Sequence, residues 1–216
     1  MSPPSLKKPM QPNCGRGGEL KQRQDRQAQC LTPAPSAEKR LAIPHPASLL
    51  FFAHYMLHMR MECVIDSSSL VSLCRCGLEE FLAKSGCKFF TVKEVFDEVV
   101  EDGLSKGLLD AAAAKKLFAD EVIDIAEDFG YRGKPVDEKV VELAKKRGSM
   151  LMANDAKVLR RAVAEGLEAM NTAGFLFAVM RKGGMSKEKF KECLDRLLEK
   201  NRLSLKNAEK YLKEVS

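Results

Sequence analysis

The sequence predicts an α/β domain in which a central, mostly parallel sheet is flanked by helices. From residue 61 onward, short runs of β-forming residues alternate with helical patterns, which is typical of parallel sheets. Two of these runs end on an acid, Asp66 or Asp155, that leads directly into a helical pattern. The part after the first 60 of the 216 residues is also the right length for a single domain.

The first half of the domain predicts two strands, each followed by a helix. The first strand is expected at 62–66, and the apolar positions after it have helical spacing as far as Gly86, which is placed to end the helix. Residues 87–92 predict the second strand, with Thr91 capping the next helix. The remaining elements are a helix at 108–119, an edge strand at 122–125, a helix opened by Asp137, a strand at 150–154, a helix at 155–165 and a last strand at 167–171.

Two more helices are predicted after Gly184. Phe190 and Leu194 mark the apolar face of the first helix, and Ala208 and Tyr211 mark that of the second. An apolar face on each helix predicts packing, either against this domain or against a second subunit. The expected organisation is therefore a leader at 1–60, a domain at 61–182 and a C-terminal helical extension at 183–216.

The leader differs in composition from the rest of the chain. It holds nine Lys/Arg, three Asp/Glu and eight of the nine prolines, so the remaining residues carry twenty-seven charges of each sign. Such a polar segment predicts disorder. Its apolar stretch, 48–59, is shorter than the roughly 18 residues of a membrane span and follows too many polar residues for a signal peptide. We expect a cytoplasmic protein without a membrane segment. Because Met56, Met59 and Met61 precede the first strand, the leader is either a real tail or misassigned upstream coding.

The histidines and cysteines exclude several kinds of site. His45, His54 and His58 all lie in the leader, so the domain has no imidazole for a histidine zinc site, a Ser-His-Asp triad or a Cys-His pair. Seven cysteines at irregular spacing predict reduced, buried thiols. The alternative is a structural zinc site made of Cys74, Cys76 and Cys87.

Four acids are candidates for a shared site. Asp66 and Asp155 end predicted parallel strands, whose carboxyl ends are the usual ligand-binding edge of an open α/β sheet. Glu98 lies on the helix after the second strand, between residues that pack inward, and Asp137 begins a helix, where it alternatively serves as a simple N-cap. The alternatives to Asp137 by spacing are Glu127, Asp128 and Glu138.

Taken in order, the motifs around these acids resemble the PIN-domain family. The matching motifs are Val64-Ile65-Asp66-Ser67-Ser68-Ser69-Leu70, Thr91-x-x-x-Val95-x-x-Glu98, Asp137-x-x-Val140-x-x-Leu143-Ala144 and Asn154-Asp155-x-x-Val158-Leu159-Arg160. The resemblance covers roughly residues 61–182 and implies a PIN-like fold and a metal-dependent nuclease, and the C-terminal hairpin and compact size are similar to a VapC-like branch. Ala153 departs from the family, in which many members have Thr or Ser at that position.

The resemblance also implies a site chemistry, phosphodiester hydrolysis of RNA with Mg²⁺ or Mn²⁺. It implies that Asp66, Glu98, Asp137 and Asp155 are the metal ligands and catalytic residues, and that Ser67, Ser68 and Asn154 position water or substrate. Oxygen ligands suit these ions, and crowded acids without a cation would repel one another. Implied partners are RNA, a protein antitoxin if the chain is a toxin rather than an RNA-processing enzyme, and a second copy in a homodimer. The alternatives are a non-catalytic PIN-like adaptor or RNA-binding module, and an unrelated α/β domain whose acids are caps and surface charges.

Overall fold

The structure is a computed structural model that describes residues 61–127 and 133–215. The expectations for the leader at 1–60, including its disorder and its origin, lie outside the described residues. The alternative acid Asp128 lies outside them as well.

Five parallel strands form one sheet in the order β3-β2-β1-β4-β5. Their bounds are β1 Glu62–Ile65, β2 Lys88–Thr91, β3 Ile123–Ile125, β4 Met150–Met152 and β5 Ala169–Met170. All the neighbouring strands pair in parallel, so the predicted mostly parallel sheet is confirmed, with β3 at one edge as expected. The central strand, β1, pairs with β2 on one side and β4 on the other.

Helices connect the strands and cover the sheet. They are α1 Ser67–Arg75, α2 Glu80–Lys84, α3 Lys93–Phe96, α4 Asp102–Ser105, α5 Leu109–Ala119, α6 Val136–Arg147, α7 Ala156–Ala164, α8 Thr172–Arg181, α9 Lys187–Glu199 and α10 Leu205–Val215, with a π-helical turn, Asp97–Glu101, between α3 and α4. The connections through α1 to α5 cross the sheet in one direction and those through α6 and α7 in the other. Since such crossovers are right-handed, the two groups of helices lie on opposite faces.

The helix predicted to run as far as Gly86 is two helices. Gly77, with a φ of 61°, breaks the chain after α1, and the amide of Leu78 donates to the carbonyl of Leu73. Gly86, with a φ of 72°, follows α2 as predicted. Sequence spacing missed the break because both helices bury apolar side chains in the same hydrophobic core.

The prediction that Thr91 caps a helix is wrong. Thr91 is the last residue of β2 and is fully buried, and its hydroxyl donates to the carbonyl of Ile65 over 2.8 Å. Helix α3 begins after Val92, which provides no side-chain cap. The hydroxyl therefore stabilises the end of the central strand instead of the start of a helix.

Helix α8 was not predicted from the sequence. Its residues from Thr172 to Met180 are all buried, so it has no polar face to produce a helical period. It contacts α1, α2 and α9, and the ring of Phe175 packs edge-on against Phe89 of β2 at 5.8 Å. The helix with the weakest sequence pattern thus lies in the middle of the core.

The C-terminal helices pack against this domain, the first of the two alternatives considered. Phe190 of α9 and Tyr211 of α10 are almost completely buried, and their rings lie 5.7 Å and 5.8 Å from the ring of Phe177 on α8. The hydroxyl of Tyr211 donates to Asn171 over 3.1 Å. Within the described ranges, no helix is both long and apolar enough to cross a bilayer.

The cysteines of the described part of the chain lie mostly in the core. All are buried except Cys87, which is partly buried, and burial raises the pKa of Cys193 to about 11. Among residues 61–127 and 133–215, neither Cys74, Cys76 and Cys87 nor any other three histidine, cysteine or acidic residues form a metal-binding group. These thiols act as small apolar side chains in the core.

We expect Phe190→Ala to lower the free energy of unfolding by about 3–5 kcal/mol, because it leaves a cavity between α8, α9 and α10. Urea unfolding of the full-length protein measures the change. Lys191→Ala, at the exposed next position of α9, is the matched control and should change stability by no more than about 0.5 kcal/mol. Equal effects of the two substitutions would mean that the C-terminal helices do not share the core.

Candidate active site

The candidate site lies at the carboxyl edge of the sheet. Because the strands are parallel, each helix that follows a strand begins at this edge. Helices α1 and α7 begin directly after Asp66 and Asp155, α3 begins one turn before Glu98, and Asp137 lies in the first turn of α6. The topology therefore brings four helix starts, each with a predicted acid on or near it, to one side of the sheet.

Asp66 is the buried member of the site. It is the N-cap of α1, where its Oδ2 accepts hydrogen bonds from the amide of Ser68 at 3.2 Å and from the hydroxyl of Ser68 at 2.6 Å. The residue is only 3% exposed, and this burial raises the pKa of its carboxyl group. The hydrogen bonds from Ser68 oppose that shift, whereas the negative charge of Asp137 adds to it. The carboxyl groups of Asp66 and Asp137 are thus near enough to repel.

The hydroxyl of Ser68 connects Asp66 to the segment that follows β4 and contains Asp155. It donates to Asp66 and accepts from the backbone amides of Asn154 at 2.9 Å and Asp155 at 3.3 Å. The amide of Asp66 also donates to the carbonyl of Met152, over 2.9 Å. One hydroxyl therefore sets the spacing between the ends of β1 and β4. The predicted contact of Ser68 with water or phosphate stays a prediction.

Asp155 is exposed and caps α7. Its Oδ1 accepts from the amides of Lys157 at 2.6 Å and Val158 at 3.1 Å. No other protein donor within the described ranges reaches this carboxylate, so Oδ2 is available to a ligand. The same side chain can therefore start a helix and bind a cation.

The side-chain amide of Asn154 makes hydrogen bonds within the protein at both of its polar atoms. Its Nδ2 donates to the hydroxyl of Ser72 at 2.8 Å, and its Oδ1 accepts from the amide of Thr172 at 2.9 Å. These bonds connect β4 to α1 and to the start of α8. Ser67, in contrast, is half-buried, and its hydroxyl bonds to no other residue in the described part of the chain.

Asp137 is not the N-cap of its helix, which corrects the alternative interpretation. Helix α6 begins at Val136 after Pro135, so Asp137 is the second helical residue. Its Oδ2 lies 3.5 Å from the Nζ of Lys157 on α7, and its side chain is 41% exposed. The carboxylate is free to turn toward a ligand because no backbone amide holds it.

Glu98 is exposed and lies in the π-helical turn. In the described part of the protein it makes no hydrogen bond or ion pair, so no contact joins it to the other three acids. Such turns are frequent at functional sites, because they change which residues of a helix face the same way.

Sequence reasoning missed an ion pair formed by Glu94, which lies one turn before Glu98. Glu94 on α3 forms an ion pair with Lys139 on α6, and Lys139 is only 8% exposed. The spacing of Glu94 and Glu98 was visible in the sequence as acids on one helical face. The burial of Lys139 could not be seen in the sequence, since lysine is among the residues most rarely buried.

The carboxylates suit a hard divalent cation, although they do not form a finished cage. No three acids in the described ranges already lie close enough to hold an ion. The structure does bring Asp137 near Asp66 and ties Asp155 to Asp66 through Ser68. Carboxylate oxygens are ligands for Mg²⁺ and Mn²⁺, and a cation would relieve the repulsion between Asp66 and Asp137.

We expect Asp66→Asn to raise the melting temperature at pH 7 in metal-free buffer. The pKa of Asp66 in the folded protein lies above its usual value of 3.8, so the contribution of this group to stability is largest below pH 3.8 and falls as pH rises toward the raised pKa. Asparagine removes the buried charge and still caps the helix. Each 1 kcal/mol relieved is worth about 2–4 °C in a domain of this size.

Thermal unfolding between pH 4 and pH 7 measures this effect, and the gain should shrink as the pH falls. Asp195→Asn, at an exposed position of α9, is the control and should show no such trend. A mutant less stable than wild type at pH 7 would show that the buried charge of Asp66 is compensated.

Comparison with known families identifies the domain. A family model described as a PIN domain matches residues 62–216, from the first residue of β1 through α10. Comparisons with curated proteins and with solved structures gave no significant match. The family match contradicts the alternative of an unrelated α/β domain. It takes in every strand of the sheet and all four predicted acids, and the chain accordingly belongs to the PIN-domain family.

Proposed function

We propose that this PIN domain is a Mg²⁺- or Mn²⁺-dependent endoribonuclease that hydrolyses RNA phosphodiester bonds at the carboxyl edge of its sheet. The observation that carries the proposal is the buried Asp66, whose carboxyl group is near that of Asp137 and is tied to the strand of Asp155 by Ser68. PIN domains are commonly nucleases, and a concentration of carboxylates at a ligand-binding edge supports this activity.

The protein would hold the ion with Asp66, Asp137 and Asp155, and Glu98 would complete the site directly or through water. When bound, the ion supplies an acidic water and neutralises charge that develops on the phosphate. Ser68 keeps Asp66 and Asp155 at a constant spacing, so little reorganisation is needed at the moment of reaction. The hydroxyl of Ser67, which bonds to no other residue in the described part of the chain, would position water or phosphate next to Asp66.

The positive charges beside the acids would attract the RNA backbone. Lys157 faces Asp137 at 3.5 Å and its side chain is 77% exposed, so it can leave the carboxylate and meet a phosphate. Asn154 would contribute to the site through its backbone amide, which donates to Ser68, because its side chain is bonded to α1 and α8.

Two biological roles fit this activity, the toxin of a toxin-antitoxin pair and an RNA-processing enzyme. A toxin would stop growth when expressed, and a protein antitoxin would relieve the arrest by covering the acidic edge. The homodimer and the cytoplasmic location stay predictions.

A non-catalytic PIN-like adaptor or RNA-binding module is the second candidate. The exposed position of Glu98, which contacts none of the other acids within the described ranges, favours it. An adaptor would bind RNA with the same affinity whether or not a divalent ion is added.

Cleavage of a labelled structured RNA by the full-length protein tests the proposal. We expect cleavage with Mn²⁺ and none with EDTA. Asp66→Asn and Asp155→Asn should each lower the rate by about a hundredfold or more, because several kcal/mol of charge stabilisation would be lost. Asp195→Asn, a change of the same kind on α9, should retain the wild-type rate.

Two other results would contradict parts of the proposal. RNA binding without cleavage, and without any effect of Mn²⁺ on the melting temperature, would establish the adaptor. If Mn²⁺ raises the melting temperature of wild type but not of Asp66→Asn, and no RNA is cleaved, the metal site is correct and the substrate is wrong.

A further inference from the structure

Among the ion pairs of residues 61–127 and 133–215, the pair between Lys139 and Glu94 is the one at the acidic edge that buries a positive charge. The side chain of Lys139 is 10% exposed and that of Glu94 is 40% exposed. Burying an ammonium group is costly unless an opposite charge pairs with it, so the two side chains hold each other in place.

The pair joins the two layers of the domain across the candidate site. Glu94 belongs to α3, one turn before Glu98, whereas Lys139 belongs to α6, two residues after Asp137. Helices α3 and α6 lie on opposite faces of the sheet and both begin at its carboxyl edge. The ammonium group of Lys139 is therefore a fixed positive charge between helix turns that carry acids.

Two other cations at this edge are much more exposed. The side chain of Lys157, which faces Asp137, is 77% exposed, and that of Arg161, which pairs with Glu138, is 38% exposed. Exposed pairs of this kind are weak and break readily. Lys139 has no such freedom, because its side chain is enclosed by the domain.

This difference has a consequence for metal binding. Glu94 is a carboxylate one helical turn before the predicted ligand Glu98, but its oxygen already faces the ammonium group of Lys139. A divalent ion at the same place would repel that group at short range, and the repulsion is strong where water is partly excluded.

We propose that Lys139 is a built-in cation that keeps Glu94 out of the metal-binding set and limits the acidic edge to a single divalent ion. Lys139 is a positioning residue in this scheme, since it acts through Glu94. The inference rests on the proposed metal-dependent function and specifies how many ions that site holds. A purely structural ion pair would instead affect stability and leave the number of bound ions unchanged.

The number of Mn²⁺ ions bound by the full-length protein tests the inference, measured by calorimetric titration and by electron paramagnetic resonance of free Mn²⁺. We expect one ion in wild type and two in Lys139→Met, which keeps most of the side-chain volume. The double variant Lys139→Met/Glu94→Gln should return to one ion. Lys139→Arg, which keeps the charge and guards against a folding defect of the methionine variant, should also bind one.

Lys145→Met is the matched control. It removes an exposed lysine from the same helix, where it pairs with Glu165, and should leave one ion bound. A single ion of wild-type affinity in Lys139→Met, or two ions in wild type or in Lys139→Arg, would overturn the inference while leaving the nuclease proposal intact. No Mn²⁺ binding by any variant would overturn both.

Discussion

Parallel pairing on both sides of β1 is the constraint on which the rest of the domain depends. Because β2 and β4 run in the same direction as β1, the helices that follow all three strands begin at one edge. The hydroxyl of Ser68 then holds the ends of β1 and β4 together, with Asp66 as its acceptor. The buried helix α8 is connected to this edge through Asn154, whose side-chain oxygen accepts a hydrogen bond from the amide of Thr172.

The electrostatics of the edge are a compromise between stability and binding. Burial places the carboxyl group of Asp66 where ionisation is unfavourable, and Asp137 makes it more so. The hydrogen bonds from Ser68 offset part of this cost. The negative charge that is not offset is the basis of the proposed cation site, and in our proposal the buried pair of Lys139 and Glu94 restricts where that cation would lie.

The parts of the site that could be predicted are those set by neighbours in the chain. Asp66 and Asp155 were recognised because each follows a buried strand and precedes a helix, and both prove to be N-caps. Asp137 was predicted within one residue of a helix start, but it is not the N-cap, because Pro135 occupies that position. Thr91 was misassigned because its partner, the carbonyl of Ile65, is remote in sequence.

By itself the sequence determined the order of the strands, most of the helices and the acids at the start of α1 and α7, because strand period, helix period and capping depend on neighbouring residues. Only the tertiary structure decided that β1 lies at the centre of the sheet, that α8 is buried and that Ser68 connects two strands. The nearness of Asp137 to Asp66 and the burial of Lys139 were decided there too. Each of these features depends on groups brought together from distant parts of the chain, and a local sequence pattern does not determine contacts between residues that are far apart in sequence.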